Sequence, residues 1–142
     1  MVNIYALATG FILAIAISTK LIVPHHGRMT CHYPILLATF PAYYWLFAIS
    51  ALDYNALFLE VLVGIFWIAL SYIAYQKTKF IGLILLTVGY IGHAVYDVAH
   101  DLLFINAGTP RWWPEFCGVI DMMLGLYLLY VASVTNHRSS NG

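Results

Sequence analysis

Charge is what this chain has least of. Of its 142 residues six are Lys or Arg and six are Asp or Glu, 8% together, and the formal net charge is zero. A surface that neutralises nucleic-acid phosphates needs clustered cations, and none occurs here, so nucleic acid is not an expected partner. No run of like charge marks a solvated tail or an electrostatic membrane anchor. Cysteine is scarce as well. Cys31 and Cys117 have neither CxxC spacing nor companions, which excludes a zinc ribbon and a disulfide framework. Internal repeats, linkers and low-complexity tracts are missing, and only the end NHRSSNG is polar throughout.

What fills the chain instead is apolar: 63% of it is hydrophobic, against about 45–50% in soluble domains. That composition points to an integral membrane protein. The opening MVNIYALATGFILAIAISTK has the length of a secretory signal, but no Lys or Arg precedes its apolar run and no small-x-small cleavage pattern follows, so it is read as a retained helix.

A hydrocarbon core of about 30 Å takes about 20 apolar residues as helix. Five segments approach that length: Asn3 to Val23, Tyr33 to Leu52, Leu57 to Tyr75, Phe80 to Phe104 and Glu115 to Val134. The connections HHGRMTC, DYNA, QKTK and INAGTPRWWP are short, so consecutive helices are expected antiparallel in one bundle. The expected fold is therefore all-α: a single five-helix transmembrane domain over residues 1–135 with a polar tail at 136–142.

Lys and Arg bias short loops toward the cytoplasm. Lys20, Arg28, Lys77, Lys79 and Arg138 follow odd-numbered helices, and Arg111 alone falls opposite. The expectation is an N-terminus outside and a C-terminus inside, in an inner or plasma membrane, with Trp112 and Trp113 in the outer aromatic belt. Cys31 and Cys117 then lie at opposite faces and do not pair.

The few acids are not scattered. In GHAVYDVAHD, residues 92–101, two histidines and two aspartates share ten positions. At about 100° per residue, Tyr90, His93, His100, Asp101 and Phe104 fall within about 60° of Asp97, while Val95, Val98, Ala99 and Leu102 lie further round. An aspartate or lysine at mid-membrane costs about 2.5–3.5 kcal/mol on insertion scales, so this stripe is expected to face the bundle interior. Helix direction places His93 near mid-membrane and His100 and Asp101 toward the outer surface, predicting a pocket that opens outward. Glu60 on helix three and Asp121 on helix five are expected at similar depth. Tyr43, Tyr44 and Ser50 of helix two have compatible heights, and periodicity does not say which points inward.

Neutral imidazole and carboxylate suit zinc first, then iron or manganese. His93, Asp97, His100 and Asp121 are the expected ligands of a divalent metal, with Asp101 or Glu60 as general base if a metal-activated water attacks a substrate. HxxxDxxHD is less specific than a full HExxH signature, so the case rests on three helices converging. Chains of Asp, Glu and His also relay protons, although five helices without a repeat suit alternating access poorly. Two histidines on one face of one helix cannot grip one haem from opposite sides. Helix-to-helix hydrogen bonding, about 0.6 kcal/mol per contact in membranes, is the plainest alternative. Elsewhere, His25 and His26 sit in the turn PHHGR with Pro24 and Gly27, and His32 with Cys31 borders it. Trp112-Trp113 reads as an interfacial anchor, and its loop, by its position beside the mouth, as a candidate lid; Asp53 and Tyr54 read as a solvated loop, and Glu115 as an acid suited to a helix N-terminus.

The pieces PHHGR at 24–28, ALFLE at 56–60, KFIG at 79–82, GHAVYDVAHD and PEFCGVIDMMLG at 114–125 resemble, in order and rough spacing, a group of small bacterial and fungal membrane proteins catalogued as domain of unknown function 6010. The resemblance covers most of the chain and implies its fold and the co-occurrence of His93, Asp97, His100 and Asp121. In that family's pattern a Trp-Asp pair precedes two adjacent histidines; here Tyr96-Asp97 precedes His100-Asp101, so Asp101 takes the second histidine's place. A looser likeness is to membrane hydrolases of the ceramidase-like superfamily, which hold zinc with intramembrane His and Asp. Those have more helices and a serine-bearing motif that this chain lacks.

Together these readings predict an outward-facing intramembrane metal pocket, with a lipid or another amphipathic molecule as substrate of a metal-dependent hydrolase. The alternative is a non-enzymatic subunit whose polar layer fixes helix packing within a homo-oligomer or larger membrane complex.

Overall fold

A computed structural model describes residues 2–23 and 30–140, except for the side chains of 138–140. Five helices make up the fold: α1 (Ile4–Lys20), α2 (His32–Ser50), α3 (Tyr54–Gln76), α4 (Lys79–Leu103) and α5 (Trp113–Ser140). No strand occurs among the described residues. Four of the helices, α2 to α5, are long and apolar enough to cross a membrane; α1 is apolar but shorter, 17 residues or about 25 Å. His25, His26 and Arg28 lie outside the described residues, as does the side chain of Arg138.

The helix ends follow local chemistry. Asn3 Oδ1 accepts the Ala6 N–H at 3.1 Å and caps α1. Asp53, expected in a solvated loop with Tyr54, instead caps α3, its Oδ1 accepting the Ala56 N–H at 3.0 Å, and Tyr54 is the first residue of that helix. A short polar side chain that satisfies an open backbone N–H is what fixes a helix start. Between α2 and α3 the chain reverses within Ala51, Leu52 and Asp53. The Asp53 N–H donates to Ala48 O and the Leu52 N–H to Ile49 O, the paired pattern of a left-handed helix end, with Leu52 at φ 56°. Helix α5 continues through 136–140, within the expected polar tail.

Helix α4 is central: it packs against α2, α3 and α5, whereas α1 packs against α5 alone. The contacts also give directions. Gly10 meets Phe116 and Val119, so closely that a Cβ on Gly10 would lie 2.5 Å from Phe116 O; α1 and α5 therefore run parallel. Gly64 against Pro41 with Glu60 against Trp45, Gly92 against Trp67 with His100 against Glu60, and Gly125 against Ile91 with Gly118 against Val98 make α2–α3, α3–α4 and α4–α5 antiparallel. One end of the bundle thus carries Lys20, Lys77 and Lys79. All six acids, Asp53, Glu60, Asp97, Asp101, Glu115 and Asp121, fall in the other half.

Candidate functional site

The α4 stripe is inward for its first three polar positions. His93, Asp97 and His100 are buried to 1% exposure or less, as are Asp121 of α5 and, at 2%, Glu60 of α3. Val95, Val98 and Leu102 of the opposite face are exposed, as the helical wheel requires. Asp101 departs from the wheel: its side chain is 79% exposed, because it stands in the last turn of α4, beyond the cover of the neighbouring helices.

The buried groups form two layers. In the inner layer His93 Nδ1–H donates to Asp121 Oδ2 at 2.8 Å and lies 3.5 Å from Asp97 Oδ1, the carboxylates fixing this nitrogen as the donor. Tyr44 Oη–H donates to the same Asp97 Oδ1 at 2.7 Å. This settles helix two: Tyr44 faces the site, Tyr43 lies partly exposed against Trp113, and Ser50 bonds back to Phe47 O. Rings of Phe40, Trp67 and Tyr96 surround the His93 imidazole at 5.2–5.7 Å.

One turn and more toward the α4–α5 loop, the outer layer centres on Glu60. His100 Nε2–H donates to Glu60 Oε1 at 2.7 Å, Asn106 Nδ2–H to the same oxygen at 3.0 Å, and Tyr96 Oη–H to Oε2 at 2.8 Å. His100 Nδ1 stands 3.4 Å from Asp101 Oδ1. Asn106 also donates to the Tyr44 carbonyl at 3.1 Å and accepts from the Gly108 N–H at 3.2 Å. The Tyr44 ring stacks on His100 with centroids 4.6 Å apart, so Tyr44 touches both layers.

The layers differ in completeness. Glu60 has both carboxylate oxygens bonded and His100 both ring nitrogens beside an acid. In the inner layer His93 Nε2, Asp97 Oδ2 and Asp121 Oδ1 are all buried without a hydrogen-bond partner among the described residues. Asp97 also lies within hydrogen-bonding reach of Asp121 and of the Cys117 thiol, so the two carboxylates adjoin each other as well as His93.

Among the described residues the group with metal-holding geometry is His93, Asp97 and Asp121, with one donor atom from each within 4.8 Å of the others. Ligands about 2.0–2.2 Å from an ion lie about 3.0–3.6 Å from one another, and the observed separations of 2.8 and 3.5 Å are close to that. His100, expected in the same shell, is not in the group. Seven residues place it on the same face as His93 but about 10 Å further along the axis, too far to share one ion, and there it meets Glu60 instead. Asp101 and Glu60, expected as general bases, belong to the His100 layer.

The expected outward opening is closed. Trp113, read as an interfacial anchor, is buried under the α4–α5 loop among Tyr43, Phe47 and Phe116; Trp112 beside it is exposed. Tyr96 and Asn106 are site residues that periodicity missed. Tyr96 sits about 100° off the stripe, on the flank that α3 covers, and Asn106 lies in a loop, where its one sequence signal is the turn-forming Asn-x-Gly. Cys31 and Cys117 are both free. No protein-family model, curated protein or solved structure matches the chain.

Proposed function

We propose that this chain is an integral membrane protein that binds one divalent cation, zinc first and iron or manganese next, between His93 and Asp97 of α4 and Asp121 of α5. The observation that carries the reading is the convergence of one donor atom from each of those three buried side chains within 4.8 Å of the others. An ion offsets two buried carboxylates and satisfies them together, and it takes the place of the proton shared by His93 and Asp121.

Four helices of spanning length, and an α3 whose Phe58, Leu62, Ile65, Phe66 and Tyr72 are all more than half exposed, support a lipid-embedded chain. We take α1, at 17 residues, as the fifth span, with the lysine-bearing end cytoplasmic and the N-terminus outside. The similarity to domain of unknown function 6010 is part of the same proposal.

Three protein ligands leave a coordination position open, the pattern of metal sites that activate water. Hydrolysis of a lipid or another amphipathic molecule is the reaction class such a centre serves. The fully bonded Glu60–His100 layer favours a different role for its own residues, fastening α3, α4 and the α4–α5 loop, rather than ligation.

Metal analysis of the purified protein tests the site. Stoichiometric zinc, iron or manganese that is lost in both His93→Ala and Asp97→Asn is expected; a metal-free protein in which both variants fold with unchanged stability overturns the reading.

A further inference from the structure

We infer that the α4–α5 loop, latched by Asn106, is the gate through which a cation reaches the buried His93–Asp97–Asp121 site. The inference rests on that site being a cation site, and its test separates the two ideas.

An ion bound for ligands that are 1% exposed or less must displace something. Toward the lysine-bearing end the way is blocked by apolar packing: Leu83, Leu86 and Tyr90 of α4 and Leu124 and Leu128 of α5 are fully buried together. The leucines offer no atom to replace the water an ion gives up, and the Tyr90 hydroxyl is engaged on the Tyr33 carbonyl at 2.9 Å. Toward the other end the layer is polar. His100, Glu60 and Asn106 offer oxygen and nitrogen atoms, and the exposed Asp101 stands at its rim, 3.4 Å from His100. Six acids against the single Arg111 in this half, with Lys20, Lys77 and Lys79 at the opposite end, also favour the approach of a cation here.

The loop closes this end through few attachments. Asn106, 3% exposed, makes two of them, its amide N–H groups reaching Glu60 and the Tyr44 carbonyl, while its oxygen accepts from the Gly108 N–H and shapes the loop itself. Gly108 lies backbone to backbone on the end of α2, where a Cβ would fall 1.9 Å from Phe47 O. Thr109 Oγ1 of the loop and Trp113 Nε1 at the start of α5 are buried there without a partner among the described residues, so closure leaves polar atoms on both sides of this contact unbonded. The latch is also wired to the site. Tyr44 receives Asn106 on its carbonyl and donates its hydroxyl to Asp97, so release at the loop loosens a residue that orients a ligand.

Cys117 reports the gate directly. Its thiol is buried at 5% exposure beneath the loop, packed with Tyr44, Tyr96 and Trp113, one helical turn from Asp121. In the full-length protein carrying Cys31→Ser, two rates are measured: alkylation of Cys117 by iodoacetamide, and loss of bound zinc to excess EDTA. Asn106→Ala is expected to raise both about tenfold, the factor that loss of its buried hydrogen bonds implies. Asn106→Asp, of the same shape but repelled by Glu60, is expected to raise them at least as far and serves if the alanine variant does not fold. Leu83→Ala, which loosens the opposite half, is expected to leave both near wild type.

Unchanged rates in the Asn106 variants overturn the gate and leave the metal site standing. Faster alkylation in a protein that never holds zinc shows that Asn106 latches the loop, but overturns the metal site and with it the loop's role as a cation gate. An equal rise in Leu83→Ala shows general loosening and overturns the gate.

Discussion

His93 and His100 stand two turns apart on one face of α4, yet they bond to acids on different helices: His93 to Asp121 of α5 at 2.8 Å, and His100 to Glu60 of α3 at 2.7 Å. One stripe therefore serves two layers with different degrees of completion. The inner one has unpaired atoms, and the outer one has its acid fully bonded. The division lets ligation and fastening be tested separately.

Tyr44 should matter to affinity more than to stability. Its hydroxyl holds Asp97 Oδ1, the type of support whose removal lowers metal affinity about 10- to 100-fold. Tyr44→Phe is expected to weaken zinc by that range in a chelator competition while shifting unfolding by no more than about 1 kcal/mol. An unchanged affinity would show that Asp97 needs no such support.

Glu60 should matter to stability more than to metal. Glu60→Ala leaves His100, Tyr96 and Asn106 each short of a partner. A loss of about 2–3 kcal/mol in denaturant unfolding is expected, because buried partners stranded together each carry a desolvation cost. Zinc stoichiometry should be retained; its loss would place Glu60 among the ligands.

Helix α1 contributes no side chain to either layer and is held by α5 alone. Gly10→Val introduces atoms where Phe116 O and Val119 Cγ1 already lie 2.5 Å from a Cβ. Overpacking of this kind costs about 1–3 kcal/mol. The unfolding midpoint should fall with bound metal unchanged, and metal loss would show that α1 supports the site through α5.

Leu52 holds a left-handed backbone with φ 56° at the α2–α3 turn. A non-glycine residue there costs about 1–2 kcal/mol, part of which glycine returns through its greater freedom when unfolded. Leu52→Gly is expected to stabilise by about 0.5–1 kcal/mol in the same unfolding measurement. A lower midpoint would mean that the exposed Leu52 side chain contributes more than its backbone costs.

Orientation has its own reporter. Cys31 is exposed at the end that carries Lys20, Lys77 and Lys79. An impermeant thiol reagent applied to intact cells should leave Cys31 unlabelled until the membrane is opened. Labelling from outside would invert the topology.

The helices and the inward direction of most of the stripe were legible in the residues themselves. Apolar length produced five segments, and a 100° rotation per residue separated His93, Asp97 and His100 from Val95, Val98 and Leu102. Periodicity is a property of one helix, and there it succeeded. It failed where a neighbour decides: Asp101 keeps the right angle but lies past the covering helices, and Tyr96 has the wrong angle but lies under α3. Whether Asp121 and Glu60 complete one site or two depended on α4 packing between α3 and α5. Asn106 reaches Glu60 only because the loop folds back over the bundle. Sequence thus determined which face of α4 is polar and which is apolar, since that follows from composition and helical angle. The tertiary structure alone decided which groups meet, because hydrogen bonds act over about 3 Å and the order of helices around a bundle is not encoded in any single helix.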